Sequence, residues 1–241
     1  MQHLDTPAGR RIAYHLTEGE GPAVVFLGGF RSDMEGTKAL FLEEWARERG
    51  RAFLRFDYSG HGASSGAFEE GAIGDWAEDA EAAIDLLEGP LVLVGSSMGG
   101  WISLLLARGR PERVAGLVTI AAAPDFTVEM WEAFSQAQRD ELMEAGLTLR
   151  PSDYGDPYPI TRRLIEDGRS HLVLTHPLAL PMPVRMLQGT ADTDVPQHRA
   201  LALLDHAEGE DIRLTLVKGA DHRFSTPACL QLIGEAVAEV S

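Results

Sequence analysis

Residues 91–107 read LVLVGSSMGGWISLLLA: a short apolar run, a turn of glycine and serine, and a longer apolar run. The first run has the length of a buried strand, and the second is long enough for a buried helix. A buried strand that leads directly into a buried helix is typical of a parallel sheet with helices on both faces. This stretch therefore predicts an α/β fold, with its glycine–serine turn at the carboxyl edge of the sheet.

The same alternation of short apolar runs and helical patterns extends along the 241 residues of the chain. Core strands are predicted at 23–28, 51–56, 91–95, 114–121, 184–189 and 212–217, with an edge strand over 11–17. Helices are predicted at 37–49, 75–87, 99–108, 197–205 and 227–240. Ligands of such a sheet bind where its parallel strands end, so functional residues are expected directly after strands.

One long segment, about residues 125–180, interrupts the alternation and is rich in aromatic residues, methionine and proline. It begins with a candidate amphipathic helix over 126–146 and continues with a turn or small hairpin before another helix. We expect one domain over residues 1–241, in which this insertion forms a small lid. A peripheral packing element is the alternative.

The composition disfavours several classes of partner. A formal net charge of -16 repels nucleic acid and anionic lipid surfaces. No apolar run is long enough to span a membrane, so no membrane insertion is expected.

The single cysteine, Cys229, cannot form an intramolecular disulfide, and the N-terminal residues show no leader pattern, so a cytoplasmic location is expected. No residue cluster has metal-ligand spacing, and neither a metal nor a cofactor is expected. The oligomeric state stays open.

The pattern G-x-S-x-G occurs twice, at residues 62–66 and 95–99, and a chain with 25 glycines makes the pattern alone weak. Ser97 follows a predicted strand and opens a predicted helix, the context in which a sharp turn exposes a nucleophilic serine. Ser64 lies between loop segments and is interpreted as part of a glycine–serine turn. Ser96 is interpreted as a structural neighbour. The context therefore favours Ser97 as the nucleophile.

A serine nucleophile needs a base, and the base needs an orienting acid. Among the eight histidines, His222 follows a late core strand and precedes the last helix, which brings it to the same sheet edge as Ser97. Asp192 is the first acid after the strand at 184–189, whereas Asp194 resembles a helix-entry residue. Asp125 is the fallback acid. The predicted triad is therefore Ser97, Asp192 and His222.

Acyl transfer also needs two backbone N–H groups that point at the developing oxyanion. One is expected from Met98, and the other from the loop after the strand at 23–28, where glycines allow a close approach. Apolar residues nearby are candidates for an acyl pocket and equally suit an ordinary core: Phe30, Met34, Met98, Trp101, Met130, Trp131 and Phe134. Arg31 is either a contact for an anionic group such as a glucuronate or a solvated surface arginine.

Together these segments resemble the α/β-hydrolase superfamily across nearly the whole chain. LGGFRSDMEGTKA, RFDYSGHGASSG, LVGSSMGGW and GADHR resemble more closely the group that contains a mitochondrial palmitoyl-protein thioesterase also acting as mycophenolic acid acyl-glucuronide esterase. The resemblance implies a small lid, a Ser-Asp-His triad and an esterase or thioesterase acting on a small-molecule acyl substrate or an acylated protein. It also implies that Phe30 gives the second oxyanion donor. Gly28 stands where family members often have histidine.

Three alternatives remain open at this point. The same triad also suits cleavage of a carbon–carbon bond or perhydrolysis, and a hydrolase fold also occurs in non-catalytic binding proteins. The turn GSSMGG has neither the spacing of a dinucleotide-binding loop nor the Lys-Ser/Thr of a phosphate-binding loop. An ester or thioester hydrolase is the function that the sequence predicts.

Overall fold

The strands and helices are described by a computed structural model that covers residues 1–152 and 155–241. In these ranges the strands are β1 (Gln2–Asp5), β2 (Arg11–Thr17), β3 (Glu20–Leu27), β4 (Arg51–Phe56), β5 (Leu91–Ser96), β6 (Val114–Ile120), β7 (Leu147–Ser152), β8 (Gly155–Thr161), β9 (Leu178–Ala179), β10 (Val184–Gly189), β11 (Ala207–Glu208) and β12 (Ile212–Val217). The helices are α1 (Thr37–Glu48), α2 (Ile73–Ile84), α3 (Met98–Gly109), α4 (Phe126–Ala133), α5 (Gln136–Ala145), α6 (Arg162–Gly168), α7 (Gln197–His206) and α8 (Pro227–Glu239).

Eight strands form the central sheet in the order β1-β2-β4-β3-β5-β6-β10-β12. The pairs β1–β2 and β2–β4 are antiparallel, and every other pair in this sheet is parallel. The carboxyl ends of β3, β4, β5, β6, β10 and β12 consequently lie along one edge. Short strands β9 and β11 form a separate pair, as do β7 and β8.

The hydrophobic core lies on both faces of this sheet, because successive side chains of a strand point to opposite faces. Val25 and Leu27 of β3 belong to one buried cluster, together with Trp76 of α2 and Trp101 of α3. Val24 belongs to the other, which contains residues of α1 and α8. All six residues of β5 are buried, as expected for a strand covered by helices on both faces.

The predicted α/β architecture is confirmed, and the strands at 51–56, 184–189 and 212–217 have the predicted bounds. The last of these was predicted as a core strand, but it is the edge strand β12 and none of its residues is buried. The predicted helices also occur, with ends displaced by three residues or fewer. The four-residue strand β1 was not predicted, because it is largely exposed and carries no apolar alternation.

The segment at 125–180 differs from the expectation of one helix over 126–146. Two helices occupy this range, because the chain leaves the helical conformation at Phe134 and restarts at Ser135. The Ser135 hydroxyl caps α5 by accepting the backbone N–H of Gln138. The predicted hairpin is the β7–β8 pair, apart from residues 153–154, which lie outside the described ranges, and α6 follows it.

The last part of this segment is attached to the helices beneath it by polar contacts. The carboxylate of Asp167 accepts the backbone N–H of Gly74 at 2.8 Å, and Arg163 forms an ion pair with Asp75. The indole N–H of Trp101 donates to the carbonyl of His171 at 3.0 Å. Residues 162–171 are therefore anchored on α2 and α3.

No helix in the described ranges combines the length and the apolar character that crossing a bilayer requires.

Candidate active site

Ser97 lies on a sharp turn between β5 and α3, with φ 54° and ψ -117°. A positive φ is uncommon for a residue with a Cβ, so the surrounding structure must hold it. The backbone N–H of Ser97 donates to the carbonyl of Ile120 at 2.9 Å, and its carbonyl accepts the N–H of Ala123 at 3.1 Å. A Cβ on Gly99 would lie 2.0 Å from the carbonyl oxygen of Leu27, so this position accepts only glycine.

Three side chains that are distant in sequence meet at this turn. His222 Nε2 lies 3.2 Å from Ser97 Oγ, and His222 Nδ1 lies 2.9 Å from Asp192 Oδ2. A carboxylate can only accept, so Nδ1 carries the hydrogen and Nε2 is left to accept the serine proton. The predicted nucleophile, base and acid therefore form one hydrogen-bonded chain.

Asp192 is buried and held by several donors. Its Oδ1 accepts the backbone N–H groups of Asp194 and Val195 at 3.0 and 2.8 Å, and Gln188 Nε2 donates to Oδ2 at 3.1 Å. Burial acts to raise the pKa of Asp192, but the hydrogen bonds from His222, Val195 and Gln188 outweigh it, and the pKa lies below its ordinary value. The carboxyl is thus ionised at neutral pH and oriented toward the histidine.

Gln188 was not among the residues predicted for the site. It is fully buried near the end of β10, and its amide also donates to the carbonyl of Val195 at 2.9 Å. A polar amide inside a predicted core strand was the available signal in the sequence. Gln188 thereby links the strand to the loop that carries the acid.

The alternative candidates for nucleophile and acid have other contacts. Ser64 Oγ donates to the carbonyl of Asp57 at 2.7 Å and accepts the N–H of Ala13 at 2.8 Å, so it joins a loop to the edge of the sheet. Both carboxylate oxygens of Asp125 accept backbone N–H groups, of Val173 and Leu174, each at 2.9 Å. These contacts commit Asp125 to anchoring the segment at 125–180. Ser96 is buried directly beside the nucleophile.

Phe30 and Met98, the predicted oxyanion donors, flank the nucleophile. Both line the same cavity as Ser97, and a Cβ built on Gly29 would lie 3.4 Å from Ser97 Cβ. The N–H of Ser32 donates to the carbonyl of Gly29 at 3.1 Å, which folds this loop into a tight turn. The backbone after β3 therefore comes close to the backbone at the start of α3.

The cavity above Ser97 has a volume of about 540 Å³. This size is typical of small-molecule sites. Its walls are formed by the loop after β3, the start of α3, residues of the segment at 125–180 and the loops around Asp194 and His222. Phe126 and Tyr158 belong to the wall although they were not predicted.

The acyl-pocket predictions are only partly placed on this wall. Met130 lines the cavity with Phe30 and Met98, whereas Met34, Trp101, Trp131 and Phe134 are not among its lining residues. Each of these four has another environment.

Met34, Trp101 and Phe134 are buried in the protein core. The indole of Trp101 also points toward the carbonyl of His171. Trp131 packs against the guanidinium groups of Arg139 and Arg169, each 5.3 Å from its ring centroid. Packing within the protein, the alternative that the sequence left open, therefore accounts for the apolar character of these four predicted pocket residues.

The rim of the cavity is cationic in a chain of net charge -16. Arg31, Lys38, Arg150 and Arg223 all contribute to its lining, against one acidic residue, Asp194. The Lys38 amine donates to the carbonyl of Arg223 at 2.6 Å, and burial lowers its pKa to about 8. The Arg31 guanidinium lies over the rings of Phe68 and Tyr158, at 5.4 and 5.9 Å from their centroids. This concentration of positive charge suits a substrate with an anionic group.

One group of three possible metal ligands occurs within the described ranges: Asp192, Asp194 and His222. The Asp192 and His222 atoms nearest to each other are already joined by the hydrogen bond at 2.9 Å. The arrangement matches an acid–base pair rather than a four-ligand structural metal site.

Comparison with known proteins places the chain in a family. A sequence model of the alpha/beta hydrolase family matches residues 24–239. The mitochondrial palmitoyl-protein thioesterase ABHD10 of Bos taurus is 37% identical over 236 residues, covering 97% of this chain and 77% of that protein. A solved structure of a protein from Agrobacterium vitis S4 has a TM-score of 0.95 at 40% identity over 99% of this chain and 97% of that one.

The solved structure of alpha/beta hydrolase domain-containing protein 10 from mouse has a TM-score of 0.92 and 35% identity, covering 99% of this chain and 97% of that one. The fold and the resemblance predicted from the sequence are thereby confirmed. The chain belongs to the alpha/beta hydrolase family.

Proposed function

We propose that this protein hydrolyses ester or thioester bonds of acyl substrates, with Ser97 as nucleophile, His222 as general base and Asp192 as orienting acid. The main support for this proposal is the hydrogen-bonded chain from Ser97 through His222 to Asp192, at 3.2 and 2.9 Å, on the floor of a cavity. Membership of a family of hydrolases and the similarity to a thioesterase support the same reaction class.

The reaction proceeds in two steps. Ser97 Oγ attacks the substrate carbonyl while His222 Nε2 takes its proton, and Asp192 stabilises the imidazolium that forms. The tetrahedral oxyanion accepts hydrogen bonds from the N–H groups of Phe30 and Met98. The carbon–oxygen or carbon–sulfur bond then breaks, and the alcohol or thiol leaves with the proton from His222. Water, deprotonated by the same histidine, attacks the acyl-serine and releases the carboxylic acid.

The cavity supports two properties of the substrate. Phe126, Met130 and Met98 give it apolar surface that suits an acyl chain. The cationic rim suits an anionic group, so an acyl-glucuronide and an acylated protein with acidic residues near the acyl group are both included in the proposal. The relative from Bos taurus is named as a palmitoyl-protein thioesterase, which supports the thioester arm.

The segment at 125–180 is proposed to be a lid within a single domain over residues 1–241. Phe126, Met130 and Tyr158 of this segment line the cavity, so its position controls the space above Ser97. The cytoplasmic location expected from the sequence stays a prediction. The Bos taurus relative does not support it, since that protein is named as mitochondrial.

A hydrolysis panel tests the proposed reaction. It compares acyl-coenzyme A and N-acetylcysteamine thioesters of several chain lengths with acyl-glucuronides and neutral p-nitrophenyl esters. We expect turnover of at least one thioester or ester series and none with Ser97→Ala. Cleavage of a carbon–carbon bond or perhydrolysis, without ester or thioester hydrolysis, would assign the triad to another reaction. No turnover of any substrate would indicate a binding protein.

Lys38 gives a pH-dependent prediction, because a pKa of about 8 means that it carries its charge at pH 7 and loses it as the pH rises to 9. The ratio of kcat/KM for an acyl-glucuronide to that for a neutral ester of the same acid should fall by about 3- to 5-fold over this interval. Titration of the common catalytic groups cancels in this ratio.

Two variants of Lys38 provide the controls. Lys38→Met should show the low ratio already at pH 7 and no step, and Lys38→Arg should keep the high ratio at pH 9, because a guanidinium stays protonated. A wild-type ratio that is constant from pH 7 to 9 would contradict a role for Lys38 in binding the anionic group.

A further inference from the structure

The loop after β3 is held from beneath by side chains that follow or end β4. Asp57 Oδ1 accepts the N–H of Met34 at 2.6 Å, and Arg55 Nη1 donates to the carbonyl of Met34 at 3.0 Å. A third contact comes from His61, whose Nε2 lies 3.2 Å from the backbone nitrogen of Arg31. The first two hold the far end of the loop, and the third holds the residue directly after Phe30.

The chemistry of His61 makes this contact directional. Its Nδ1 lies 3.1 Å from the carbonyl oxygen of Ser59, which can only accept, so Nδ1 carries the hydrogen. Nε2 is then unprotonated and accepts the N–H of Arg31. The ring is 4% exposed, and burial lowers its pKa, so it is neutral at the pH at which a serine hydrolase works.

The environment of His61 fixes the ring position. It makes edge contacts with the rings of Tyr58, Phe68 and Trp76, with centroids 5.7, 5.2 and 5.1 Å away. Phe68 and Trp76 also contact the ring of Phe30, at 4.8 and 5.9 Å. One aromatic cluster therefore holds the Phe30 side chain and the histidine that binds the next backbone N–H.

The backbone at Arg31 needs such a partner. Arg31 has φ 57°, a left-handed conformation that is unfavourable for a residue with a Cβ. Without an acceptor its N–H would be unpaired, and the hydrogen bond from the Ser32 N–H to the Gly29 carbonyl would be left to oppose rotation of the backbone around Phe30. A change in this rotation moves the Phe30 N–H away from the oxyanion.

We propose that His61 is a positioning residue for the oxyanion hole: its neutral Nε2 accepts the Arg31 N–H, holds the strained backbone after Phe30 and thereby directs the Phe30 N–H at the tetrahedral intermediate. This rests on the proposed function, since it requires an acyl-transfer reaction at Ser97. His61 touches no substrate and acts through the loop alone.

Three substitutions of His61 separate the acceptor from the ring. The amide of His61→Gln reaches about as far as Nε2 and can accept from Arg31, whereas the shorter amide of His61→Asn cannot, and His61→Leu has no acceptor. Tyr58→Phe is the matched control, because it changes a buried ring beside His61 whose hydroxyl has no hydrogen-bond partner in the described structure.

The readouts are kcat and KM for a p-nitrophenyl ester and the inhibition constant of an alkyl boronic acid, whose tetrahedral adduct with Ser97 mimics the intermediate. We expect His61→Asn and His61→Leu to lower kcat by about 10- to 100-fold, somewhat less than removal of an oxyanion donor. KM should stay within about 3-fold, and boronate binding should weaken in parallel with kcat/KM. His61→Gln should recover most of both losses, and Tyr58→Phe should match the wild type.

Two results would overturn the proposal for His61 alone: wild-type kcat and boronate binding in His61→Asn, or a loss of kcat with unchanged boronate binding. If His61→Leu does not fold, the Asn and Gln pair decides, since both are polar and differ in reach. Absence of any ester hydrolysis by the wild-type protein would instead remove the proposed function, and the role of His61 with it.

Discussion

Replacement of Ser97 by alanine is expected to lower kcat for a p-nitrophenyl ester by about 10⁵- to 10⁶-fold. The substitution removes the attacking oxygen and leaves the cavity and the backbone N–H groups in place. Alanine is close in size to serine, so the elbow at φ 54° keeps its conformation. Steady-state kinetics with purified protein, together with the midpoint of thermal unfolding, measure both effects.

Ser64→Ala is the matched control, because Ser64 stands in the other G-x-S-x-G sequence. It loses the hydrogen bonds to Ala13 and Asp57 at 2.8 and 2.7 Å, so its stability should decrease by about 1 kcal/mol per bond. Its kcat should stay within a few-fold of wild type. A protein in which Ser64→Ala abolishes turnover and Ser97→Ala does not would contradict the assignment of the nucleophile.

Replacement of Asp192 by asparagine is expected to lower kcat by about 10⁴-fold. Two backbone N–H groups point at Oδ1, which forces the amide oxygen to that side and the amide NH₂ toward His222 and Gln188. An N–H facing His222 selects the tautomer with hydrogen on Nε2, which cannot accept the serine proton. The measurement is kcat on a neutral ester, with circular dichroism to establish that the variant is folded.

Asp125→Asn discriminates between the two acids that the sequence left open. Asparagine tolerates the left-handed backbone at residue 125, φ 58°, but its NH₂ would face the N–H of Val173 or Leu174. We expect a lower unfolding midpoint and a kcat within a few-fold of wild type. The opposite pattern, with Asp125→Asn inactive and Asp192→Asn active, would move the acid to the loop after β6.

The core of the fold was predictable because its strands are buried on both faces. An apolar run such as that of β5 has few alternatives to a covered parallel sheet, and the ends of β5 and β10 place Ser97 and Asp192 at one edge. His222 follows β12, an edge strand that is only partly buried but runs parallel to β10. Residues directly after strands could therefore be brought together from spacing alone.

The roles of the residues around Ser97, Asp192 and His222 depend on tertiary contacts that sequence spacing does not specify. An apolar residue near the site can line the cavity, as Met130 does, or fill the core, as Trp101 does. The local sequence does not distinguish these two environments. The break between α4 and α5 reflects capping by Ser135. His61 acts on the backbone of Arg31, which is distant in sequence, so only the folded arrangement identifies its role. Gln188 contacts Asp192 and Val195, which are close to it in the chain, but the fold sets its burial.

Labelling with a fluorophosphonate probe, followed by tandem mass spectrometry of the peptides, tests the assignment of Ser97 as the activated nucleophile. The phosphonyl group bonds to an activated serine oxygen with loss of fluoride, and fragmentation distinguishes Ser96 from Ser97. We expect one adduct, on Ser97, formed much more slowly in Asp192→Asn. An adduct on Ser64 or Ser96, or equal labelling rates in the wild type and Asp192→Asn, would contradict it.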